Sequence, residues 1–151
     1  WEFLARPAPE PEEAIGKNPN AFFDKLMAGW TRDGTLAPFD PRAMAAYRQS
    51  ANEPSRIHAM CEDYRAGASL DRAADEEDLR AGRTIACPVA LAWGTFFLTG
   101  RDEGGPTPLD VWRASFAPDA FGRQVESGHF VPEEDPEGAL AVVLDLLGRE
   151  A

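Results

Sequence analysis

His129 lies in Glu126-Ser127-Gly128-His129-Phe130-Val131-Pro132, where a run that reads as a strand, residues 122 to 126, gives way to small residues, a histidine and then a proline. A neutral imidazole at such a place can accept a proton from water, which is the work of a general base near neutral pH. Ser127 and Gly128 let the loop turn, and Phe130 gives the imidazole an apolar flank. In open α/β sheets reacting groups collect on loops beyond the carboxyl ends of strands. His129 falls three residues past this strand, so its position favours chemistry over a surface or core-satisfied histidine. The other histidine, His58, has Glu62 at helical spacing and reads as a surface pair. The sequence shows no glycine-rich phosphate loop and no metal-ligand set, and neither a metal nor another cofactor is expected.

The elements that must hold such a loop separate into two halves. Residues 1 to about 75 are irregular and helical, with no strand pattern. "NPNAFFDKLMAGW" offers Asn20 as a cap with Phe22, Phe23, Leu26, Met27 and Trp30 at helical spacing, and "DPRAMAAYRQSA" has Asp40 as cap and Pro41 at its first position. "EPSRIHAMCEDYRAGA" places Ile57, Met60, Cys61 and Tyr64 on one face. The acid run of residues 75 to 80 reads as a solvated helix start joining the two halves. The second half changes character at Ile85 to Trp93, a nearly continuous apolar run ending in Gly94, as expected of a strand buried on both faces of a parallel sheet. "TPLDVWRASFA" then reads as a helix, residues 122 to 126 as the second strand, and "DPEGALAVVLDLLGRE" as a closing helix with Asp135 as cap and Pro136 at its first position. Trp93, Trp112, Phe22 and Phe23 read as core. Strand, helix, strand, helix is the end of an open α/β sheet.

Composition narrows the function. The chain has 151 residues and a net charge of -11, from 26 acids against 15 bases, a balance that repels phosphate backbones and argues against nucleic acid as partner. No apolar run approaches the roughly 18 residues of a membrane span. Cys61 and Cys87 have neither C-x-x-C spacing nor companion ligands, so reduced thiols and a cytoplasmic setting are expected. The first residue is Trp1, and "WEFLARPAPEPEE" lacks the basic start and apolar core of a secretory signal, which suggests the downstream part of a longer protein.

Four stretches together, "SGHFVPEEDPE", "CPVALAWG", "TPLDVWR" and above all "MCEDYRAGAS", with the opening "WEFLARP", resemble the haloacetate dehalogenases, including fluoroacetate dehalogenase, of the α/β-hydrolase fold. "SGHF" alone is common among α/β-hydrolases; "MCEDYRAGA" and the opening tryptophan are more specific. The resemblance runs over essentially the whole chain. It implies a helical cap over residues 1–75 and the last two core strands with their helices over 76–151, the C-terminal part of the fold. It matches His129 to the base that activates water, Trp1 and Tyr64 to donors that hold the departing halide, and Trp30 to a tryptophan lining the substrate pocket. The nucleophilic aspartate, the carboxylate-binding arginines, a third halide donor and the acid that orients the histidine are expected upstream. The implied partner is a small haloacid, and a homodimer of the full-length protein is left open.

Many α/β-hydrolases carry their triad acid as W-G-x-x-D; that position holds Phe97 here, and Asp102, the first acid beyond it, reads as a surface loop residue. The dehalogenases resembled keep this acid on an earlier strand, so its absence fits. Two rivals stand beside this reading. An epoxide hydrolase-like enzyme uses the same aspartyl ester but needs tyrosines to protonate the epoxide oxygen, and only Tyr47 and Tyr64 exist. The other rival is a non-catalytic fragment.

Overall fold

Proline marks where helices begin in this protein. A computed structural model describes residues 1–96 and 104–149, and the elements run α1 (Glu10–Gly16), α2 (Pro19–Trp30), α3 (Pro41–Ala51), α4 (Pro54–Ala66), a π-helical turn (Gly67–Asp71), α5 (Arg72–Arg80), β1 (Ala90–Gly94), α6 (Pro108–Ser115), β2 (Phe121–Val125), α7 (Val131–Glu134) and α8 (Pro136–Arg149). Each α-helix here except α5 has a proline at or near its start. The fixed φ of proline suits the first turn, and its missing N–H would have no helical acceptor there. Side chains complete several of these starts. Asp40 Oδ1 accepts from Arg42 N at 2.7 Å, Thr107 and Asp110 form a reciprocal capping box, and Asp135 Oδ1 accepts from Gly138 N at 2.9 Å. In α2 the cap is Asn18, whose Oδ1 accepts from Ala21 N, and not the expected Asn20, because Pro19 already takes the first helical position. The acid run lies within α5 instead of starting it, and Gly82, at φ 64°, ends that helix in the left-handed conformation.

The chain divides into two compact units, Trp1–Met27 with Asp40–Ala81, and Ala28–Phe39 with Gly82–Ala151. The first is helical. Its core is Leu4, Ile15, Ile57 and Cys61, with Phe3, Phe22, Phe23, Met60 and Tyr64 packed against it, so the expected face of α4 does point inward. Burial of side chains of this size contributes about 1.5–3 kcal/mol each. Ion pairs tie its surface: Arg48 meets Asp24 through two hydrogen bonds at 3.0 and 2.9 Å, and Arg65 reaches Glu12, Glu62 and the Arg6 carbonyl. α1 was not expected from the sequence. Its seven residues hold one proline, Pro11, and one buried isoleucine, Ile15, too short a stretch to show a helical period.

The second unit holds the sheet. β1 and β2 pair in parallel, with Ala90 opposite Phe121 and Gly94 opposite Val125, and α6 connects them in sequence. Helix α8 packs on both strands. The first strand is shorter than the apolar run Ile85 to Trp93. Pro88 has no N–H for the ladder, and Ile85 N donates to the Phe116 carbonyl at 2.8 Å, which takes the start of the run off the sheet and leaves Ile85 exposed. β2 begins one residue earlier than expected and ends at Val125. Trp93 is core as expected, whereas Trp112 faces solvent from α6, edge-on to Phe116. Phe97 and Asp102 lie outside the described residues. Among the described residues no helix is long and apolar enough to cross a membrane. Cys61 and Cys87 are both free thiols, the first buried and with its pKa raised by that burial, the second exposed.

Candidate functional site

His129 follows β2 on a loop whose backbone is pressed between two other segments of its own unit. A Cβ on Gly128 would lie 2.5 Å from the Trp30 carbonyl oxygen and 2.6 Å from Arg32 N, and a Cβ on Gly94, at the end of β1, would lie 2.1 Å from the Gly128 carbonyl oxygen. Gly128 has no positive φ. The residue was expected to let the loop turn, but its smallness serves close approach: only glycine lets three backbones meet here. His129 N then donates to the Trp30 carbonyl at 2.9 Å.

This packing brings together two residues distant in sequence. The Trp30 and His129 rings meet edge-on with centroids 5.0 Å apart, Phe130 stands against His129 at 5.0 Å, and the buried Phe39 closes on Phe130 at 4.9 Å. The imidazole itself remains exposed to solvent on this unit. Partial burial lowers its pKa below that of a free imidazole, and the nearby Glu134 charge acts in the opposite direction. Burial thus favours the neutral ring, and its exposed edge leaves it open to water, two properties that suit a base that activates water.

Trp1 and Tyr64 meet in the other unit, edge to face with ring centroids 4.7 Å apart. Tyr64 projects from the last turns of α4, half-buried against the core, while Trp1 is 71% exposed. The Trp1 ring lies over Gly67, where a Cβ would come within 2.7 Å of Trp1 Cη2. Gly67 opens the π-helical turn that continues α4, a local widening of the helix of a kind often found near functional sites. The pair carries an indole N–H and a phenol O–H, two hydrogen-bond donors, on neighbouring rings.

His58 belongs to a different cluster. Its Nδ1 pairs with Glu12 Oε1 at 3.0 Å, not with Glu62 as the helical spacing suggested, because Glu62 is held by Arg65. Glu12, His58 and Glu62 bring ligand atoms within 4.8 Å of one another. Arg65 already bridges both carboxylates, at 2.9 Å to Glu12, and supplies the positive charge that a metal ion would bring.

Gly94, Gly67 and Glu134 were not singled out from the sequence. The glycines are recognisable only by what lies against them. Glu134 is one of three consecutive acids, Glu133, Glu134 and Asp135, and nothing in their order shows that the middle one accepts three backbone N–H groups.

No family model matches the chain. A fluoroacetate dehalogenase from Burkholderia sp is 33% identical over 147 residues, 97% of this chain and 46% of that protein. A provisionally assigned epoxide hydrolase from Pseudomonas aeruginosa superposes with a TM-score of 0.88 at 33% identity, over 99% of this chain and 48% of its own. A provisionally assigned alpha/beta hydrolase from Nostoc sp PCC 7120 does so with 0.87 at 38% identity, over 97% and 48%. The chain thus spans about half the length of the relatives it matches. With parallel strands in the register described, and with matches that run over nearly the whole chain, this chain belongs with the dehalogenase-like α/β-hydrolases and corresponds to the C-terminal portion of their fold.

Proposed function

We propose that this chain supplies the cap and the catalytic histidine of an enzyme that hydrolyses haloacetates to glycolate and halide. The observation that carries the reading is the Trp1–Tyr64 pair: the two donors matched to the halide site lie far apart in sequence, on the first residue and in α4, yet their ring centroids are 4.7 Å apart. The relatedness to a fluoroacetate dehalogenase supports the same substrate class.

In this reading an aspartate elsewhere in the whole protein attacks the carbon that bears the halogen. A carbon–oxygen bond forms, the carbon–halogen bond breaks, and halide leaves with the electron pair, leaving an aspartyl ester. Trp1 Nε1–H and the Tyr64 hydroxyl donate to the halide as its charge develops. His129 then takes a proton from water and the resulting hydroxide adds to the ester carbonyl; as the adduct collapses the ester carbon–oxygen bond breaks, the departing glycolate oxygen takes the proton back from the imidazolium, and the restored aspartic acid gives one proton to solvent. Trp30, against His129, lines the substrate pocket. Residues 1–75 act as the cap and 76–151 as the end of the core.

The test is turnover of fluoroacetate, chloroacetate and bromoacetate by the whole protein, followed by released halide and glycolate. Stoichiometric production of both supports the assignment, and inactivity on all three overturns it. The similarity to proteins described as epoxide hydrolases favours a second reading in which the same ester chemistry opens an epoxide. Tyr47, the other tyrosine, lines an apolar groove of about 250 Å³ with Phe23, Met27, Met44 and Met60. Diol formation from a simple epoxide, without halide release from haloacetates, would favour that reading.

A further inference from the structure

We propose that Glu134 is a positioning residue that fixes the His129 loop against the Trp30 turn and so holds the imidazole in place. The inference rests on the reading of His129 as the base, and it adds a residue to which the resemblance assigns no role.

The geometry is specific. Glu134 Oε2 accepts from Arg32 N at 2.7 Å and from Gly128 N at 3.0 Å, and Oε1 accepts from Phe130 N at 3.0 Å. With His129 N bonded to the Trp30 carbonyl at 2.9 Å, three successive amides of the loop, 128 to 130, are each held. Two of them end on one carboxylate, and the same carboxylate holds the turn just after Trp30. One side chain therefore couples the segment that carries the base to the segment that carries the pocket tryptophan.

A carboxylate suits this position for a stated reason. It offers about four acceptor sites and no donor, so it can take three N–H groups at once, and each bond is strengthened by its charge. An amide of the same shape offers one acceptor oxygen and turns an NH₂ group toward backbone N–H donors. Glu134→Gln must therefore lose at least one of the three bonds, although its volume is nearly unchanged. α7 places the carboxylate: this single turn begins one residue after Phe130, so its last side chain reaches back along the loop.

The negative charge has a second consequence. Among the described residues, the charged groups on the segments around the loop are Arg32 and Asp33 on the turn, Glu126 after β2, and Glu133, Glu134 and Asp135 at α7. Arg32 is paired with Glu126, and Asp135 accepts from Glu126 N and Gly138 N. The Glu134 charge acts on His129 in the raising direction, against the larger lowering effect of burial.

Glu134→Gln and Glu134→Asp in the whole protein test this. In Glu134→Gln the His129 titration, followed by imidazole NMR, moves to lower pH, and the Arg32, Gly128 and Phe130 amides exchange faster. Hydrolysis of the ester formed from chloroacetate slows by about tenfold or more, as expected when a reacting group loses its orientation. Glu134→Asp keeps the charge but shortens the reach, so it exchanges faster while His129 titrates near the parent. Parental titration, exchange and ester hydrolysis in Glu134→Gln overturn the proposal, as does a loss of thermal stability with those three unchanged. If Glu134→Gln does not fold, parental exchange and turnover in Glu134→Asp overturn it. Titration and exchange need no substrate, so failure of the clamp is distinguishable from failure of the hydrolytic reading.

Discussion

Helices α4 and α8 carry the same pattern with opposite results. In α4 the apolar positions Ile57, Met60, Cys61 and Tyr64 face inward, with Ile57 4% and Cys61 0% exposed. In α8 Leu140, Val143, Leu144 and Leu147 repeat that spacing, and each is more than half exposed, while Val142 on the other side is the residue that packs inward. A helical period identifies a face that gains from burial; it does not name the surface that buries it. In the first unit Leu4, Ile15 and the α2 phenylalanines cover the stripe. In the second, no described residue covers it. A contiguous apolar patch of this kind marks an interaction or core surface.

The two units also divide the proposed chemistry, base in one and halide donors in the other, so variants can separate them. The largest effect belongs to His129. His129→Asn in the whole protein should slow ester hydrolysis by about 10²–10⁴-fold while halide release continues once per active site, because the histidine acts after displacement. Protein mass spectrometry should show the trapped ester, and undiminished turnover would remove the role. The same base predicts a pH dependence. Its neutral form is the active one and burial lowers its pKa, so the acid limb of hydrolysis should fall below the ordinary histidine range. A limb at or above that range, in rates measured on the ester step, would contradict the site geometry.

Next in size is the core of the first unit. Ile57→Ala should destabilise it by about 2–5 kcal/mol, the usual result of removing a fully enclosed branched side chain. Chemical denaturation followed by helical circular dichroism measures this, and a change under about 1 kcal/mol would mean that the α4 stripe is less tightly held than its burial indicates. A smaller effect, confined to one substrate, is expected at the donors. Tyr64→Phe keeps the ring against Trp1 and removes only the hydroxyl, so fluoroacetate turnover should fall about tenfold or more while chloroacetate and bromoacetate fall less. Compact fluoride concentrates its developing charge and depends most on donors. Equal losses on all three substrates would assign Tyr64 to packing.

The smallest effect sharpens the helix comparison. Leu144→Ala in the chain by itself should change stability by no more than about 0.5 kcal/mol, as for an exposed position. In the whole protein, coverage of α8 by further core would raise that cost into the range of Ile57→Ala. Denaturation of both forms decides the matter, and equal small effects in both would show the stripe to be open in the complete molecule.

The sequence by itself determined where most helices start, since proline and its neighbouring caps act within one turn and need no distant partner. Asp40, Asp135 and the inward face of α4 were legible for that local reason, and so was the strand-end position of His129. Longer-range matters were decided by tertiary structure. Whether the run from Ile85 pairs throughout depended on Phe116, and the partner of His58 depended on α1. The purpose of Gly128 is set by the Trp30–Arg32 backbone it touches, and the value of Glu134 by three amides drawn from two segments. Such roles come from groups that approach only when the chain has folded, and their energies depend on distance and enclosure, which residue order alone does not contain.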